Sequence, residues 1–160
     1  MQGFLLENLN AKIAFGVTAV AAAAATGERI NVKENGRVTF FLIAGGSTGA
    51  DVKVNLLQHN AATSGTSKVL PIMNKYFVKA GAATVFTQTE PTADASTIEL
   101  TALDDAAGLV AIEVRAEDLD VNNGFAWMSC DVPIAGQAKN VVGLYIAGDC
   151  RTLPPYNVGV

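Results

Sequence analysis

His59 is the one histidine of the chain, and it stands at the end of an alternating run beside a polar stretch that carries Thr63 and Ser64. Imidazole next to hydroxyls is the raw material of nucleophilic catalysis: the ring takes the hydroxyl proton and a carboxylate orients the ring. A Ser-His-carboxylate arrangement is formally possible, but a single histidine where a strand gives way to a loop is more often a hydrogen-bonded structural residue, and no nucleophile-elbow Gly-x-Ser-x-Gly is expected to support catalysis. The second group is acidic. Asp118-x-Asp120-x-Asn122 alternates side-chain oxygens as a calcium loop does. An EF-hand loop also needs glycine at its sixth position and a bidentate glutamate at its twelfth. Counted from Asp118, those positions hold Asn123 and Ser129. A bend capped by carboxylates is the reading that fits.

The remaining reactive types form no set. Glu90, Asp94, Glu99, Asp104 and Asp105 could supply a glycosidase pair, but a sugar site usually brings more than one tryptophan. Trp127 lies inside an apolar run where core packing is its expected role. The glycine-rich Gly45–Gly49 and the stretch Ser64–Lys68 lack the Gly-Lys-Ser/Thr of a phosphate loop. Cys130 and Cys150 sit in strand-like apolar runs and read as small buried hydrophobes. Whether they could bridge depends on geometry that sequence does not contain. Two scattered cysteines and one histidine do not make a zinc site. The expectation is a chain without a catalytic centre, cofactor or metal.

Composition points to packing against other proteins. Half of the 160 residues are hydrophobic and only 16% are charged, against about 25% in an average protein. The net charge is -4. Basic residues are spread singly, so no stripe exists to neutralise phosphates, and direct nucleic-acid binding is not expected. The apolar stretch from Ile13 to Ala25 is well short of the ~20 residues that span a bilayer, so no membrane partner is expected. The start of the chain lacks the basic region of a secretory leader.

The elements that must carry these residues are strands. Arg37–Ala44 is a buried-strand run between Asn35-Gly36 and Gly45-Gly46. Asp51–His59 sets Val52, Val54 and Leu56 against Lys53, Asn55 and Leu57, the period-two pattern of a half-buried strand. Further strands are expected at Tyr76–Lys79, Thr84–Thr87, Thr97–Leu100, Leu109–Arg115, Phe125–Val132 and Val141–Ala147. Residues 60–68 read as a polar loop, Ala116–Asp120 as a single helical turn or tight bend, and Asn122–Gly124 as a strong turn. Residues 13–26 stay open between a short helix, favoured by the alanines, and an extended segment, favoured by Val17, Thr18 and Val20. About eight short strands without a long amphipathic helix predict an all-β fold: a single-domain antiparallel β-sandwich, jelly-roll-like, with extended N- and C-terminal arms. The organisation expected is an N-terminal arm and Ala-rich segment over 1–26, a β-sandwich domain over 27–150, and an extended tail over 151–160. Pro154-Pro155 enforces extended backbone in that tail.

Two stretches carry a family resemblance: Ala111–Phe125 and Val142–Arg151. In each, a strand runs into a short turn, the first through Glu117-Asp118-Leu119 and the second through Asp149-Cys150-Arg151. Val52–Asn60 with Gly65–Lys68, and the Ala/Val-rich start leading into Val38–Leu42, add to it. Together they resemble small structural proteins of tailed bacteriophages. The resemblance spans most of the chain in motifs of low specificity, none of them catalytic. It implies a capsid cement or decoration protein on the outer surface of the virion, made in the host bacterial cytoplasm. Its partners would be the major capsid protein and copies of itself, as a homo-dimer or homo-trimer. A tail, neck or tube protein, or a carbohydrate-binding β-sandwich on the virion surface, is the alternative. The candidates for the protein contacts are Phe4, Leu5, Leu6, Leu153, Tyr156 and Val160, the apolar residues of the two ends.

Overall fold

Alternation in one strand and unbroken apolar sequence in another divide the chain between two sheets. The computed structural model describes residues 9–21, 23–50, 52–71, 75–91, 95 and 97–148. The larger sheet has six strands in the spatial order β1 (Asn10–Ala19), β11 (Asn140–Gly148), β3 (Arg37–Ala44), β9 (Gly108–Arg115), β6 (Tyr76–Ala80) and β7 (Thr87–Thr89). The smaller sheet runs β2 (Ile30–Asn31), β10 (Trp127–Asp131), β4 (Lys53–His59) and β5 (Ser67–Val69), and β8 (Thr97–Glu99) pairs with the first half of β4. All of these pairings are antiparallel. The chain passes back and forth between the sheets, which makes the molecule an all-β sandwich of jelly-roll-like kind.

The core lies between the sheets. Val38, Phe40 and Leu42 of β3 and Val110, Ile112 and Val114 of β9 face Val54 and Leu56 of β4 and Met128 and Cys130 of β10, all at most 4% exposed. Each such side chain contributes about 1.5–3 kcal/mol on full burial. Phe15, Phe40 and Tyr145 form a tilted aromatic series with centroids 6.1 and 5.5 Å apart. Gly143 makes room for it, since a Cβ there would lie 2.7 Å from the Phe15 ring.

The Ala-rich segment is strand from Asn10 to Ala19, followed by a turn. Pairing with β11 holds Asn10–Ala19 extended, with register shifts on either side of Phe15, and the alanine run after it lies beyond the strand, where Ala25 bridges to Val132. The strand expected at Thr84–Thr87 is displaced: β7 begins at Thr87, and Val85 and Phe86 are exposed. β2, β5 and the one-turn helix α1 (Val32–Asn35) were not read from sequence. The Asn31 side chain caps α1 by accepting from the Glu34 N–H at 3.0 Å. Residues 1–8 and 149–160, with Phe4, Leu5, Leu6, Cys150, Leu153, Tyr156 and Val160, lie outside the described residues.

Candidate interaction surface

Strand alternation sends half of each strand away from the core, and the two sheets differ in what they send. On the larger sheet the register aligns Ile13 with Leu144, Leu144 with Phe41, Phe41 with Ala111, and Ala111 with Phe77. This is an apolar row across five strands. The row beside it runs Val142, Ile43, Leu109, Lys79. The row on the other side runs Ile146, Thr39, Glu113. Ile13 is 65% exposed and Ile43 50% exposed, while Phe41, Phe77, Leu109, Val142, Leu144 and Ile146 are half-buried. Charge collects at one end of this face, where Glu113 pairs with Arg37 at 3.6 Å and Arg115 at 3.4 Å.

The outer side of the smaller sheet is mixed, with Leu57, Val69 and Trp127 set among polar residues. Lys53 pairs with Glu99 at 3.2 Å, and Thr97 donates to Asn55 Oδ1 at 2.7 Å. His59 lies on the same side, with Nδ1 2.7 Å from Ser67 Oγ and Nε2 2.9 Å from Ser129 Oγ. Arg29 holds the loop over it by donating to the carbonyls of Ala61 and Ser64 at 2.8 and 2.7 Å. Burial, and secondarily the Arg29 charge, lower the His59 pKa to about 4. Both ring nitrogens are engaged and the neutral ring is a weak base, so the site acts as a hydrogen-bonded strut. Trp127 corrects its expected core role: it is half-buried on this outer side, and Met128 and Cys130 are the core residues of its strand.

The loop after β3 corrects the expectation that no nucleophile-elbow spacing occurs. Gly45-Gly46-Ser47-Thr48-Gly49 has the Gly-x-Ser-x-Gly spacing of a nucleophile elbow. That elbow needs a strand before and a helix after, and here the segment joins β3 to β4 without a helix. Ser47 Oγ accepts from Lys139 Nζ at 3.3 Å. The amine also donates to the carbonyls of Leu103 and, at 3.0 Å, Ala106. Through these bonds Lys139 ties the loops together. Burial lowers its pKa, and Asp104 and Asp105 oppose the shift.

The acidic bend folds as a 3-10 turn over Ala116–Asp118. Asp120 is held by Lys68 and Asn123, and both lower its pKa. No group of three His, Cys, Asp or Glu residues among the described residues could hold a metal ion. Tyr76, Val78, Leu100 and Glu99 line a cleft of about 340 Å³ between the sheets. The aromatics that a sugar groove would use lie apart: Tyr76 is at this cleft, Tyr145 is in the core and Trp127 is on the outer side of the smaller sheet. Among the described residues no helix is long and apolar enough to cross a membrane.

No protein-family model matches the chain, and no curated protein matches it. Among solved structures, the chain is similar to the SPBc2 prophage-derived protein YomS at 11% identity and a TM-score of 0.44, over 88% of this chain and 94% of that one. It is similar to Bacillus endospore appendages, disulfide-linked pili, at 11% identity and a TM-score of 0.35, over 88% of each chain. A third likeness, to the infectious bursal disease virus VP2 subviral particle, has 8% identity and a TM-score of 0.27, over 94% of this chain and 43% of that one. Likenesses at this level carry no assignment of function.

Proposed function

We propose that this chain is a non-enzymatic structural subunit of a tailed-bacteriophage particle, a cement or decoration protein that binds major capsid protein subunits on the outer surface of the head. The observation that supports a role as an assembly subunit is the apolar outer face of the six-stranded sheet, which calls for a protein partner. Monomeric soluble proteins seldom leave a contiguous apolar patch beyond a few hundred Å² uncovered. The sequence resemblance to phage structural proteins supplies the kind of assembly.

The physics of the role is additive. A shell needs extra buried area across the joints between its tiles, and a standard contact buries ~1,600 Å² in total. Repeating that contact over a shell makes it collectively strong, because one opened site leaves its neighbours engaged. Phe4, Leu5, Leu6, Leu153, Tyr156 and Val160 are the proposed contacts to the capsid. They are apolar residues on the segments that flank the two neighbouring strands β1 and β11.

The deciding experiment is to locate the chain by imaging purified particles. Density over the joints of the head shell is the expected result. Density at the tail or neck would replace the cement reading with another virion part, and absence from particles would end it. A glycan array with strong hits would favour a sugar-binding surface instead.

A further inference from the structure

We propose that the outer face of the six-stranded sheet packs against the same face of a second copy of this chain, forming a two-fold dimer. The inference rests on the reading that the chain is an assembly subunit, and it names the partner of that one face. Growth of the assembly through strand edges is poorly served by this fold. β5, β7 and β8 have three residues each. The long edge strand β1 carries two register irregularities. Its Ala14 carbonyl already accepts from the Glu28 N–H at 2.8 Å. Short and bulged strands are how sheets blunt their edges. The face has no such protection.

The area and chemistry suit a second copy. Six strands, each ~4.8 Å from the next and between three and ten residues long, present roughly 700 Å² in flat projection. The corrugated accessible surface is larger and comes near the ~800 Å² per partner of a stable interface. Homodimer contacts are also the more apolar class, and the central row here holds no charge. Two sheets of like twist stack as the layers of a sandwich do. A two-fold axis in the interface, perpendicular to the strands and through the Phe41 and Ala111 row, lays that row on its own copy. It brings Lys79 of one copy over the exposed Lys75 of the other and diagonal to its Glu113, so the charges at this margin are mixed and the apolar rows carry the contact. Arg37 and Arg115 fall opposite the uncharged strand ends near Gly45 and Ala107.

Sedimentation of the purified chain tests this, with Ile43→Lys and Ile13→Lys as variants at two exposed positions of the face. Both should keep the far-ultraviolet strand signal of the parent, since neither side chain packs in the core. The unaltered chain should sediment as a dimer at micromolar concentration. Each variant should weaken self-association about 100-fold or more, toward a 16.6 kDa monomer. Val69→Lys, on the outer side of the smaller sheet, should leave the dimer intact. A monomeric parent, or an oligomer that survives both face substitutions, would overturn the proposal. Binding of the same samples to head shells reads the capsid role separately: a dimer that ignores shells sinks that role alone, and a monomer that coats them sinks only the dimer.

Discussion

The Cys130 backbone N–H donates to the Tyr145 hydroxyl at 2.9 Å, joining β10 of the smaller sheet to β11 of the larger across the core. Layers of a sandwich are otherwise held by apolar contact, which has no direction. This bond fixes how one sheet sits over the other. Gly27 lies against it: a Cβ there would stand 2.3 Å from the Cys130 carbonyl and 2.8 Å from the Tyr145 hydroxyl.

Tyr145→Phe should therefore keep the shape and strand a buried donor. An unsatisfied buried polar group costs about 1–3 kcal/mol. For a chain of this size each kcal/mol lowers Tm by about 2–4 °C. Calorimetry on the two proteins reads it. An unchanged Tm would show that the Cys130 N–H finds another partner.

Lys139 is 1% exposed, and its amine joins three loops: the one after β3 at Ser47, the one before β9 at Leu103 and Ala106, and its own. Lys139→Met retains the aliphatic length and removes the donors. Hydrogen bonds from a charged group contribute about 1.5–3 kcal/mol, so a loss of about 2 kcal/mol or more is expected in urea unfolding. A stability equal to the parent's would mean that water replaces the amine at no cost.

His59 gives the chain an acid limit. Its folded pKa of about 4 lies below the ordinary 6.5. The folded state thus resists a proton that the unfolded state accepts. The contribution is complete above about pH 6.5, shrinks as pH falls, and is gone near pH 4. A shift of that size corresponds to roughly 3 kcal/mol. Urea midpoints of the parent should fall more steeply from pH 7 to pH 4 than those of His59→Gln, which keeps a donor and an acceptor but cannot titrate. Parallel pH profiles would place the acid sensitivity elsewhere.

Much of the sandwich was legible because its central strands are long. Arg37–Ala44 was read at its true bounds, and the alternation of Lys53–His59 gave the inward set correctly. β2 and β5 escaped because two or three residues carry no period, and they exist only through the ladders that β10 and β4 offer. The outer face was visible and unread. In Phe40-Phe41-Leu42-Ile43 apolar residues occupy both parities of the strand, yet an antiparallel sheet that faces water on one side should alternate. Leu109-Val110-Ala111-Ile112 repeats the signal. The hydrogen-bonded setting of His59 was anticipated from its place at a strand end. Its two serine partners were not, because Ser67 and Ser129 reach it only through the pairing of β5 and β10 with β4.

The ends of the chain give the last prediction. β11 closes at Gly148, paired with Arg37, so removing residues 152–160 takes nothing from the described ladders. The shortened chain should unfold at the parent's urea midpoint and keep its dimer. Its affinity for head shells should fall. Three apolar contacts, Leu153, Tyr156 and Val160, at about 1.5 kcal/mol or more each, correspond to a loss of at least about 1,000-fold. A companion with Phe4, Leu5 and Leu6 changed to serine separates the two ends. Coating of shells by the shortened chain at parental affinity would remove the tail from the contact, and parental coating by both variants together would move the capsid contact onto the sandwich itself.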